Sequence, residues 1–270
     1  MKKRIFIVIV TICTYLVSNF CTGCLFVPKN DEHTKYCGAG GFVSESETIT
    51  YSRRETVEFK IKSEVPNYKG QISNANCANI AGTILIGYYD RFCEELIPNF
   101  KAYNQLGSVI KYKLGSYESE AVMSSLYTLM GTNVGGAGTT FNGFHNGMRA
   151  YVSNHNYNYV TEDIGNLDFE KFKTSVENNK PVALFLSNYS FKTVGQDTGT
   201  VETINSSYSS VAHVVIGYGY KVDTYYDSNN QIITTRTYLK VASGFHDFGL
   251  TYLCLDGKSK IDRATSIMLS

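Results

Sequence analysis

Beyond its first 24 residues the chain contains no CxxC pair, so it carries no zinc-ribbon signal. The four cysteines found there, Cys37, Cys77, Cys93 and Cys254, are too scattered for a disulfide framework. A chain of 270 residues can bury a core without such staples. Charge is not in excess either: 25 Lys and Arg against 24 Asp and Glu leave +1, which argues against a nucleic-acid partner held by bulk electrostatics. The glycine-rich stretch TNVGGAGTT at 132–140 lacks the Lys-Ser/Thr end and the preceding strand of a phosphate-binding loop. Tryptophan is absent beside 21 tyrosines, a bias of coding composition from which no function follows.

What is present begins with MKKRIFIVIVTICTYLVSNFCTGC. A basic start and an apolar run from Ile5 to about Val17 have the pattern of a secretory signal, and the run is short of the ~20 residues that span a bilayer. Thr22 and Gly23 before Cys24 resemble the end of a lipobox, although Cys21 stands where such motifs usually carry Leu. The expected organisation is a leader over 1–24, a linker with a surface hairpin or a short pro-segment over 25–64, where TITYSRRETVEFKIK alternates well enough for one or two strands, and one domain over 65–270. The mature protein is expected outside the cytoplasm, secreted or held at the membrane by a lipidated Cys24 or an uncleaved N-terminal anchor.

Past residue 64 the pattern changes twice. Ile80, Ile84, Leu85, Tyr88 and Phe92 recur at helical spacing after Cys77, with Asn74 and Asn76 supplying cap chemistry before them. Further helices are expected over 117–130, 141–151 and 167–179, the last stopped by Pro181. Then PVALFLSNY, AHVVIGYGYKV, IITTRTYLKVA and LTYLCLD read as strands separated by turn residues. Helices followed by strands, without βαβ alternation, predict an α+β fold with an antiparallel sheet.

The chemistry centres on Cys77, placed where a polar turn gives way to a helix. Unpaired N–H groups and the dipole at a helix start favour a thiolate. A nucleophilic thiol also needs a base. His33 lies in the linker, His145 in a short helix, His155 and His246 in turns; His213 alone opens an apolar strand rigid enough to hold an imidazole in one orientation.

Gln71, six residues before Cys77 and followed at once by a helix, resembles the papain-like cysteine peptidases. The run QISNANCANIAGTILIGYYDR is similar to their bacterial C39-like branch, matching at Gln71, Cys77, Ala81, Tyr88 and Tyr89. NKPVALFL, AHVVIGYGY and YLKVASGF resemble the strands before, at and after the family's histidine, so the likeness spans about 65–256. It implies a two-lobe fold, a helical lobe carrying the Cys77 helix and a β sheet or barrel lobe carrying His213, with the site in the cleft between them. It further implies a Cys77 thiolate paired with a His213 imidazolium, Gln71 and the Cys77 N–H as the oxyanion hole, a peptide or protein substrate, and no cofactor or metal. Ser243 stands where the family has Asn or Asp to orient the imidazole, and Asp247 is the alternative. Two other readings remain open: an acyl-transferring or amide-cleaving enzyme of transglutaminase-like type, and a binding protein on a degenerate peptidase scaffold. The polar stretch 189–210 is expected as a loop that sets specificity.

Overall fold

A computed structural model describes residues 35–36, 41–62, 64–69, 75–113, 117–193, 195–255 and 257–270. The leader with Cys24, and also His33, Cys37, Gln71 and Asn74, lie outside the described residues. The short β1 (Lys35–Tyr36) precedes two longer strands, β2 (Val43–Thr50) and β3 (Arg53–Lys60). Helix α1 (Cys77–Tyr89) follows, then the hairpin of β4 (Tyr103–Leu106) and β5 (Val109–Tyr112), and helix α2 (Tyr117–Leu129). Next come β6 (Thr139–Thr140), α3 (Phe141–Asn154), β7 (Tyr159–Gly165) and α4 (Phe169–Glu177). The rest is strand: β8 (Val182–Lys192), β9 (Gln196–Asp197), β10 (Val201–Ser209) and β11 (His213–Tyr226). It closes with β12 (Ile232–Ala242), β13 (Leu250–Cys254) and β14 (Lys260–Leu269).

Ten of these strands make one antiparallel sheet, running β2-β10-β8-β13-β12-β11-β3 with β14, β7 and β9 joined to it off this path. Strand β8 is its hub, pairing with β10, β11, β13 and β14. Its first six residues, VALFLS, are all buried, as a strand covered on both faces must be.

The expected two-lobe, papain-like arrangement is not what the chain adopts. Strand accounts for 44% of the described residues against 22% helix, and a large antiparallel sheet takes the place of a helical lobe beside a barrel lobe. The physical reason lies in the N-terminal strands and in α1. β2 and β3, ahead of the helices in sequence, pair with β10 and β11, so the sheet is built from both ends of the chain. α1, meanwhile, packs directly on β11 and shares its core.

All thirteen residues of α1 are buried, so it is a central helix rather than one with a single apolar face. β11 covers one side and α2 and α3 the other. Gly82 allows the second approach: a Cβ there would sit 2.9 Å from Leu126 Cδ1 and from Met130 Cε. Burying Ile80, Ile84, Leu85 and Ile86 contributes roughly 1.5–3 kcal/mol each. At the far end the Tyr89 hydroxyl donates to the Ile267 carbonyl on β14 and that of Tyr88 to the Asn179 carbonyl, which fixes the helix along its axis. Phe92, expected in the helix core, lies beyond the last turn and is exposed. Asn76 occupies the N-cap position without a side-chain cap bond.

Candidate active site

Cys77 is the first residue of α1 and His213 the first of β11, and α1 packs on β11, although the Cys77 thiol and the His213 ring make no hydrogen bond with each other. The Val214 N–H, next along the chain from His213, is directed at the Cys77 sulfur, as are the N–H groups of Ala78 and of Cys77 itself. The first helical hydrogen bond runs from the Ile80 N–H to the Asn76 carbonyl, so the N–H groups before it are among those a helix leaves unpaired.

His213 is 1% exposed. Its Nε2 lies 2.7 Å from the Ser243 carbonyl oxygen. A carbonyl can only accept, so Nε2 carries the proton and Nδ1 keeps its lone pair; Nδ1 is buried and has no hydrogen-bond partner. Phe245 stacks on the ring at 4.3 Å and 22°, and Tyr189 packs against it at 5.2 Å.

The turn that delivers the Ser243 carbonyl is built locally. The Ser243 N–H donates to the Gly249 carbonyl, and the Ser243 hydroxyl accepts from the Phe245 N–H at 3.1 Å. Between them Gly244 has φ +74°, a left-handed conformation, and a Cβ there would stand 3.2 Å from Ile80 Cγ2 on α1. The sequence pointed to the Ser243 side chain as the group that orients the imidazole; the atom that does so is the main-chain oxygen. Asp247 does not fold back. Its side chain is 85% exposed and meets only the neighbouring His246, at 3.3 Å. A neutral carbonyl fixes the tautomer but stabilises an imidazolium less than a carboxylate would.

Electrostatics at rest favour neutral partners. Burial pushes the Cys77 thiol up to about 12 and the His213 imidazole down to about 4. The thiol shift from 9.0 corresponds to about 4 kcal/mol against the thiolate, more than the ~1–2 kcal/mol a helix terminus returns. Both shifts act against the thiolate and imidazolium that the resemblance implies. Cys77 is 4% exposed. Residues from the N-terminal part of the chain pack on the neighbours of these two groups: Phe42 on Tyr189 and Phe245, and the buried Tyr36 on Phe185.

The other described histidines are apart from this pair. His145 bonds to the Tyr159 hydroxyl at 2.8 Å through Nδ1, and His155 to the Tyr151 carbonyl at 2.8 Å. Cys93 and Cys254 are buried. Among the described residues no group of three or more His, Cys, Asp or Glu could hold a metal ion. Tyr189 was legible as the last residue of the strand PVALFLSNY but was also counted in the specificity loop expected from there on; the alternation of polar and aromatic residues from Asn188 to Lys192 was the signal that β8 continues. No family model, curated protein or solved structure matches the chain. The likeness to papain-like peptidases thus rests on the quoted motifs alone.

Proposed function

We propose that the protein is an exported cysteine hydrolase that cleaves peptide bonds with Cys77 as nucleophile and His213 as base. The observation that carries this reading is the imidazole with one nitrogen locked on a carbonyl and the other buried without a hydrogen-bond partner, on the strand that packs against the helix opened by Cys77. In the reaction the Cys77 sulfur attacks the substrate carbonyl carbon while His213 Nδ1 takes the thiol proton. The carbonyl π pair moves to oxygen, and the oxyanion takes hydrogen bonds from main-chain N–H groups at the helix start and from Gln71 if the family role carries over. Collapse expels the amine, which receives the proton from Nδ1. Water, deprotonated by the same nitrogen, then hydrolyses the thioester. Cys77 and His213 are both buried, so entry of substrate requires neighbouring residues to move aside, which also readmits water and lowers the cost of charge on the two groups.

One observation favours a second reading. The burial of both groups suits a binding protein that keeps the pair as core. The two separate in one experiment, alkylation of Cys77 by iodoacetamide in the full chain against His213→Ala. Loss of the rate at neutral pH in the variant is the expected result. A rate that ignores the histidine and rises only where an ordinary thiol ionises, at about pH 8.5, would overturn the hydrolase reading.

A further inference from the structure

Tyr189, on β8, is wholly buried, yet its hydroxyl has no hydrogen bond of normal geometry. Leaving a buried hydroxyl unpaired costs about 1–3 kcal/mol, so such a group calls for a reason. Its surroundings are those of the candidate site: the ring lies 5.2 Å from that of His213, 6.2 Å from Phe245 and 6.0 Å from Phe42. We infer that the Tyr189 hydroxyl is a catalytic residue of this site, a hydrogen-bond donor to the oxyanion formed when Cys77 attacks a carbonyl.

Three features support the role. Burial first of all keeps the phenol protonated; the Ser209 side chain acts in the opposite direction, and a negative charge on Cys77 acts with burial. A protonated phenol can donate, and its ring lies 5.2 Å from that of His213, the base proposed for Cys77. The ring is also held from several sides, by Phe42, Phe191, His213 and Phe245, so the donor is positioned before the charge develops. Finally, the contact with the Ser209 side chain falls short of a hydrogen bond of normal geometry, so little is given up when the hydroxyl turns to an oxyanion.

The inference rests on the cysteine-hydrolase reading, and a pair of probes separates the two. In acylation by p-nitrophenyl acetate the S–C bond forms at a carbonyl carbon, the thiol proton passes to His213 Nδ1, oxygen takes the electron pair, and p-nitrophenolate then leaves. Alkylation by iodoacetamide forms an S–C bond at a methylene carbon and expels iodide, with no oxyanion. The experiment compares both rates at Cys77 in the full chain and in Tyr189→Phe, which keeps the ring contacts. The expected result is acylation slowed on the order of 100-fold with alkylation unchanged. Equal rates in the two proteins for both probes would overturn the role of Tyr189 while leaving Cys77 as nucleophile. A parallel fall in both would also overturn it, since a donor to the oxyanion has no part in alkylation. Failure of the unaltered Cys77 to take either probe would overturn the hydrolase reading and this inference together.

Discussion

Two buried ionisable side chains in the sheet are treated in opposite ways. Glu202 on β10 is 6% exposed and accepts from Arg54 at 2.6 Å, Lys192 at 2.9 Å and Tyr225 at 2.7 Å. Burial alone would raise its pKa; Lys192, Tyr225 and Arg54 outweigh that and hold it below the usual carboxylate value. His213, at the other end of the strand that carries Tyr225, makes one hydrogen bond and leaves its second nitrogen empty. A group with both oxygens engaged serves the fold. One that is oriented and left half-engaged can exchange a proton, and the difference separates a structural centre from a candidate reactive one.

The comparison breaks most sharply on activity. Replacing Cys77 or His213 by Ala should abolish peptide hydrolysis, by up to ~10⁶-fold if the pair acts as a unit, while circular dichroism stays that of the native protein. Glu202→Ala should do the reverse. Leaving Arg54 and Lys192 without their carboxylate should cost about 3 kcal/mol of unfolding free energy in a urea titration, with alkylation of folded Cys77 unaltered. Slowed alkylation in that variant would mean that the two ends of β11 are coupled.

Acid should sharpen the contrast further. Folding holds His145 and His213 neutral to about pH 4, chiefly through burial, whereas the unfolded residues protonate near 6.5. Within that window the unfolded chain binds more protons, so stability rises with pH and is lost as pH falls from 6.5 towards 4. Each histidine contributes up to roughly 3 kcal/mol to this loss. Urea midpoints across the window should show the slope, and His145→Gln should remove roughly half of it. The smallest effect is expected at Phe42, whose ring covers Tyr189 and Phe245. Phe42→Ala should raise the rate of Cys77 alkylation by about tenfold, as ~1.4 kcal/mol less is needed to uncover the thiol. An unchanged rate would show that the cover lies elsewhere.

Much of this arrangement was legible before folding. IITTRTYLKVA is β12 residue for residue, AHVVIGYGYKV lies within one residue of the start of β11, and the helix begins at Cys77 as its flanking residues predict. β10 was not legible. Its inward positions include Glu202, Ile204 and Ser206, and a carboxylate among them makes a strand look like a polar loop. Only Arg54, more than a hundred residues earlier, and Lys192 on the neighbouring strand β8 make that carboxylate burial affordable. β2 and β3 were legible as one or two strands in TITYSRRETVEFKIK, but as a surface hairpin in a linker or pro-segment and not as members of the main sheet, because their partners β10 and β11 are distant in sequence.

Local chemistry by itself put a cysteine at a helix start, a histidine at a strand start and a glycine in the turn after Ser243, because caps, periodicity and left-handed turns are decided by near neighbours. Which atom orients the imidazole, whether the thiol carries charge, and what stands over the pair were decided by tertiary structure. Those properties depend on desolvation and on main-chain groups brought together from β8, β11 and the turn after β12, and nothing local in the sequence encodes how deeply a side chain is buried.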